Sequence, residues 1–358
     1  MRISLKKREV SVAIVLLTLP VLFIVSIELI LRLYIHFHYG VPGKSYGIYR
    51  ADKELGAVHR PNSYNSNSII NNWGFRNTEN ISQKKPDGIT RIYCSGGSTT
   101  FCYNLRTEEA WPAILQQKLR KIPGHEHDEV LNAGEICFAV AHEFTLAKRL
   151  IPLLKPDIVI LYGTGINEVL SSQVLQYKEN KDFDLLLREK KWGVFPLKLD
   201  QARFLKRNST LVKFFDYKIK EWLRTYLTKK FRARPEPKNY TYLHQWVIYN
   251  FENTLRAYLR FLHSNGCKVI IVRYGDNGGD NWYLAHYVLR FRDRAVAIGR
   301  EEGATICDLA SIVDRHPARK KLYIDSGVHV TLEGAELVAD VILSDLKNQL
   351  EGVGYAGK

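Results

Sequence analysis

Between residues 90 and 350, short apolar runs alternate with longer stretches of helical periodicity, and this alternation leaves few folds open. Strand-like runs fall at 92–93, 129–132, 157–162, 268–273 and 304–309. Helical patterns fall at 111–119, 139–154, 242–263, 284–302 and 335–350. The run Asp157-Ile158-Val159-Ile160-Leu161-Tyr162 is almost wholly apolar, as a central parallel strand buried on both faces must be. Five strands with helices between them predict an α/β chain with a doubly wound parallel sheet. No internal repeat is visible.

Sheets of this kind gather their ligands at the C-terminal ends of the strands. The first strand runs straight into Ser95-Gly96-Gly97-Ser98-Thr99-Thr100. Two glycines let the chain turn sharply and leave Ser98 uncrowded, which makes it a candidate nucleophile. The lysine of a phosphate-cradling loop is absent. The nucleophile elbow of α/β-hydrolases needs glycine where Thr100 stands. Gly134, the stretch Gly165-Ile166-Asn167-Glu168, and His329 then occupy strand ends or the last loop, so the fold class brings all four stretches to one edge. A nucleophilic serine needs a general base, which His329 can be. An acyl-transfer intermediate needs donors for its oxyanion, and the N–H groups of Ser98 and Gly134 and the amide of Asn167 suit that task. A carboxylate that fixes the histidine tautomer completes such a site, and Asp325 is nearest in sequence. Other readings stay open: Asn167 as a turn residue, Gly134 as a strand terminator. His142 and His263 read as helix-surface residues, and Arg76 as structural rather than site-lining.

In this order the blocks Gly96-Gly97-Ser98-Thr99, Asn132-Ala133-Gly134, Gly165-Ile166-Asn167-Glu168 and the late Asp325 and His329 resemble the SGNH/GDSL hydrolase superfamily. The resemblance covers about residues 71–350 apart from an insert at 171–239. It is similar in particular to membrane-anchored members with a Gly74-Phe75-Arg76 cluster before the serine and Glu109-Ala110-Trp111-Pro112 after it. The resemblance implies a five-stranded, flavodoxin-like sheet and an acyl-serine mechanism. Ser98 is then the nucleophile, His329 the base and Asp325 its orienting acid, with an oxyanion hole of Ser98, Gly134 and Asn167. It implies no metal and no organic cofactor. Three positions depart from the family pattern. The usual Asp three residues before the His is Ser326, with Asp325 one residue earlier, so a bulge must restore the contact or the site works as a dyad. Glu168 replaces the Asp that follows the Asn, and Gly97 replaces the Asp of the GDS block. The expected function is a membrane-anchored serine esterase that removes acyl groups, acetyl foremost, from a cell-envelope polysaccharide or lipid. The alternatives are an O-acyltransferase and a non-catalytic glycan- or partner-binding domain.

The anchor is read from the N-terminus. Arg2, Lys6, Lys7 and Arg8 precede an uncharged run over 10–27, and extended to 33 it is long enough to cross a bilayer. It exceeds the apolar core of a signal peptide, and no small-x-small cleavage site follows. Residues 1–9 are therefore expected in the cytoplasm, 10–33 in the membrane, and the rest in the periplasm or outside the cell. Glu28 and Arg32, four apart, are expected to pair. Residues 34–70 read as a stalk with little regular structure. The net charge of +15 calls for an acidic partner. The lysine-, arginine- and aromatic-rich insert at 171–239 is expected to meet anionic lipid or polysaccharide, or to pack as an ordinary helix with a basic outer face. No zinc-finger spacing or RNA-binding signature accompanies the charge, so nucleic acid is not expected. Five cysteines without a CxxC give no metal or disulfide framework.

Overall fold

A computed structural model of the chain describes residues 7–39, 44–168, 245–278, 288–324 and 328–351. The chain divides into two units, 1–42 with 184–239, and 43–183 with 240–358. In the first unit a single helix, α1 (Lys7–Tyr39), carries the apolar run with Pro20 inside it. Arg32 Nε donates to Glu28 Oε1 at 2.8 Å, the expected pair. Among the described residues no helix is long and apolar enough to cross a membrane. The side chains of 7–15 in α1 lie outside the described residues, as does the whole insert at 171–239.

The second unit is built on five parallel strands: β6 (Arg91–Gly96), β7 (Glu129–Asn132), β8 (Ile158–Tyr162), β9 (Lys268–Val272) and β10 (Thr305–Cys307). Their order in the sheet is β10-β9-β8-β6-β7. With strands renumbered by chain order this is 2-1-3-4-5, the flavodoxin-like doubly wound order, whose switch point lies between β6 and β8. The register pairs Gly96 with Tyr162 and Cys94 with Asn132, so these three strands end close together. Every residue of β6 and β8 is buried, which explains why both lack the alternation of a half-exposed strand.

The helices are α2 (Ser98–Phe101), α3 (Trp111–Leu119), α4 (Val140–Leu154), α5 (Gln245–Ser264), α6 (Leu289–Glu301), α7 (Leu309–Asp314) and α8 (Leu332–Glu351). They fall into two groups, α3 with α8 and α4 with α5 and α6, as a sheet wound on both faces requires. Trp111, Leu115 and Leu119 of α3 are fully buried at helical spacing.

Residues 44–70 differ from the expected stalk. They hold β1 (Ser45–Tyr46), β2 (Tyr49–Asp52), β3 (Gly56–His59), β4 (Ser63–Tyr64) and β5 (Ile69–Ile70). β2 and β3 form an antiparallel hairpin. Leu55 and Val58 pack on Phe138, and Ile48 and Ile70 on Phe101. This polar stretch is ordered by side chains bonded to backbone rather than by long ladders. Asp52 Oδ1 accepts from the N–H groups of Glu54 and Leu55, and Asn71 Oδ1 from those of Trp73 and Phe75. Arg149 pairs with Asp52 and ties the hairpin to α4.

Candidate active site

Ser98 opens α2 directly after β6, with Gly97 at the N-cap. The approach is tight. A Cβ at Gly96, whose φ is +153°, would lie 2.3 Å from the Tyr162 carbonyl oxygen, and one at Gly97 would lie 2.5 Å from Asn167 Nδ2. Gly96 is thus needed for close backbone contact at the switch point, and Gly97 for the close approach of the Asn167 amide. Ser98 Oγ lies 2.8 Å from His329 Nε2, and both residues are half-buried. Two residues separated by 231 positions are therefore in hydrogen-bond contact, the geometry of a nucleophile and its base.

His329 is held from several sides. An isolated bridge joins Tyr323 to Val330, and Ile324 N–H donates to the His329 carbonyl at 2.9 Å. The Tyr103 ring stands edge-on to the imidazole, with centroids 4.7 Å apart and planes at 87°. Asn104 Nδ2 donates to the Val330 carbonyl at 2.9 Å. Tyr103 and Asn104 follow α2, so one short segment carries Ser98 and also braces the His329 loop. Neither residue stood out in the sequence, because no motif marks them; their only signal is an aromatic–amide pair just after the serine block. Asp325 lies outside the described residues.

The three expected oxyanion donors are differently occupied. Among the described residues the Ser98 N–H has no hydrogen-bond acceptor, as the first N–H of a helix lacks one. Asn167 Nδ2 donates one hydrogen to the Phe138 carbonyl at 2.8 Å and keeps a second. The Gly134 N–H is taken by Asn132 Oδ1 at 3.1 Å. Gly134 has a clear packing role: a Cβ there would lie 2.3 Å from Phe101 N and 2.7 Å from Thr100 C. It lets the loop after β7 press against the backbone of α2.

Behind the serine lie buried carboxyl groups, of which the sequence singles out Glu168 and passes over Glu143 and Glu135. Glu143, in the first turn of α4, is buried and accepts from Ser95 Oγ at 3.0 Å, while Tyr258 Oη donates to Ser95 Oγ at 3.1 Å. Burial pushes its pKa up to about 8, helped by the nearby Glu168. Glu168 caps α4 by accepting from Val140 N–H at 2.7 Å, and burial raises its pKa as well. It serves α4 and not the histidine. Glu135 Oε1 accepts from the backbone N–H of His59 at 2.8 Å and lies 3.1 Å from its Nδ1. Burial disfavours charge on both members of this pair. His142 and His263 sit on exposed helix surfaces, as expected. Among the described residues no group of three or more His, Cys, Asp or Glu side chains is placed to hold a metal.

Glu143 gives a testable pH dependence. The folded chain keeps this proton up to about pH 8, whereas the unfolded chain releases it near 4.5. Between those values the folded state binds more protons, so this group's contribution is full below 4.5 and falls as pH rises through 8. Glu143→Gln keeps an acceptor for Ser95 and removes the titration. Its Tm is expected to fall less than that of the parent chain between pH 5 and 9, measured by thermal scans in matched buffers. Parallel curves would contradict the assignment.

Arg76, expected to be structural, is wholly buried beside α2. Its Nη1 donates to the carbonyls of Phe101 and Cys102, and its Nη2 to those of Leu105 and Asn67.

No protein-family model and no curated protein matches the chain. Solved structures do resemble it. A lipase/acylhydrolase from Enterococcus faecalis is 16% identical, covering 73% of this chain and 97% of its own, with a TM-score of 0.44. An acetylxylan esterase from Geobacillus stearothermophilus is 14% identical, covering 73% and 96%, with a TM-score of 0.45. The esterase EstA from Pseudoalteromonas is 13% identical, covering 73% and 99%, with a TM-score of 0.43.

Proposed function

We propose that this chain is a membrane-anchored serine esterase of the SGNH/GDSL type, which removes acyl groups, acetyl foremost, from a cell-envelope polysaccharide or lipid. The observation that carries the reading is the 2.8 Å contact between Ser98 Oγ and His329 Nε2. In the first half-reaction Oγ attacks the acyl carbonyl carbon while Nε2 takes its proton. The negative charge on the carbonyl oxygen is met by the Ser98 N–H and the second amide hydrogen of Asn167. Gly134 joins them when its N–H exchanges Asn132 Oδ1 for the substrate oxygen. The intermediate collapses, His329 returns the proton to the leaving hydroxyl, and an acyl-Ser98 ester remains. Water, deprotonated by His329, then attacks this ester, the C–Oγ bond breaks, and His329 returns the proton to Ser98 Oγ as the acid leaves. Asp325 is assigned to orient the imidazole.

The substrate and the location rest on charge and hydropathy. A net charge of +15 favours an anionic polymer or lipid surface. The uncharged run over 10–27, with the extension to 33, supports a single anchor. The cationic residues before it favour a cytoplasmic N-terminus and an active domain outside the cytoplasm. The basic insert at 171–239 is assigned to anionic lipid or polysaccharide contact.

Acetate release from acetylated polysaccharide by the purified full chain tests this function. Release that is lost in Ser98→Ala supports it. A wild-type chain that releases nothing from acetylated xylan, acetylated anionic polysaccharide or p-nitrophenyl acetate contradicts it.

A further inference from the structure

Arg76 stands apart from the other buried cations. A guanidinium has five N–H groups. Those of Arg76 meet five oxygens: Ser68 Oγ at 3.2 Å and the carbonyls of Phe101, Cys102, Asn67 and Leu105. All five are neutral. Among the described residues no carboxylate forms an ion pair with it, whereas buried Arg91 pairs with Glu129 and Arg292 with Asp293. Its guanidinium carbon also lies 4.6 Å from the centre of the Phe101 ring. Burial lowers its pKa to about 10, so the side chain still carries its charge at neutral pH.

The cage is linked to the nucleophile. Arg76 Nη1 holds the Cys102 carbonyl at 3.2 Å, and Cys102 N–H donates to the Ser98 carbonyl at 2.8 Å. Cys102 adopts φ +58°, a left-handed conformation that a non-glycine residue takes only when its surroundings impose it. Among the described residues the guanidinium is the donor to the carbonyls of Phe101, the last residue of α2, and of Leu105, and it adds a second donor to the Cys102 carbonyl, which also accepts from the Leu105 N–H at 3.0 Å. α2 has four residues, so the cage closes on the far end of the short helix that Ser98 opens.

We propose that Arg76 is a positioning residue for Ser98: its caged guanidinium fixes the end of α2, and its charge, paired with no carboxylate among the described residues, supplies a positive potential where the oxyanion forms. This rests on the esterase reading above. Of the titratable groups around the cage, Glu108 and Glu109 of the turn Thr107–Glu109 act on Arg76 through space, but their ion pairs are with Arg106. Burial raises Tyr49 of β2 and holds Cys102 up at about 11, so both stay neutral. His59 of β3 is kept uncharged by burial and by Arg76 itself, and Glu135 is raised to about 8.

The test is the pH–rate profile for p-nitrophenyl acetate hydrolysis by the full chain, with Arg76→Gln and Arg76→Lys. A unit charge about 10 Å away in a medium of effective dielectric about 20 moves a titration by roughly one pH unit. In Arg76→Gln the alkaline-rising midpoint is expected to move up by about 0.5–1 unit and kcat to fall about 10–100-fold, with KM changed less than about threefold. Arg76→Lys keeps the charge but has three donors for five acceptors, so it is expected to keep the parent midpoint and lose part of kcat. A lysine variant whose midpoint moves as far as that of glutamine overturns the proposal, as does a folded glutamine variant with the parent profile. If glutamine does not fold, the lysine midpoint decides alone. If neither folds, Arg76 is a folding residue only and the proposal is overturned. A parent chain with no activity overturns the esterase reading itself, and this inference with it.

Discussion

Ser98→Ala in the full chain is expected to lower p-nitrophenyl acetate hydrolysis by about 10⁴-fold or more, and His329→Ala by a similar factor. The two act as one unit, because the base has nothing to deprotonate without the hydroxyl and the hydroxyl is a poor nucleophile without the base. The double variant is therefore expected to be no worse than either single one. Steady-state rates on the three proteins, with folding checked by circular dichroism, give the result. Losses that multiply would mean that the 2.8 Å contact is not a working pair.

Gly134→Ala carries the second large effect, and it acts on the scaffold. The added Cβ would lie 2.3 Å from Phe101 N and 2.7 Å from Thr100 C, both backbone atoms that cannot swing aside. Either the loop after β7 or α2 itself must shift. A cost of about 1–3 kcal/mol in stability is expected from such overpacking, together with a loss of kcat of more than about tenfold, because α2 carries Ser98. Denaturant titration and steady-state kinetics measure the two effects. A variant with the parent stability and rate would show that this close approach is not needed.

The sheet was legible in the sequence because its strands are buried on both faces. Ile158–Tyr162 is a continuous apolar run of five residues, too short for an ordinary buried helix, so its length decides for a strand. The Ser98–His329 contact was legible for a related reason. Strand ends converge in this fold class, so residues far apart in sequence could be placed at one edge before any distance was known. The order of residues 44–70 was not legible. Its strands are two to four residues long, too short to show periodicity, and its order comes from Asp52 and Asn71 side chains that bond local backbone. Polar residues that do this look the same in sequence as residues that face water. Arg76 illustrates the same limit. Its place in a Gly-Phe-Arg cluster marked it as structural, but its neutral cage is made of carbonyls from 67 and from 101–105, which sequence does not identify. Glu143, Glu135 and His59 are invisible for a complementary reason: charged residues are expected outside, and only the packed core shows that these are not.

Labelling of the full chain with a fluorophosphonate, read by intact mass, tests the central claim most directly. One adduct per chain, lost in both Ser98→Ala and His329→Ala, is the result the account predicts. A well-folded chain that takes no adduct, or one labelled equally in Ser98→Ala, would contradict it.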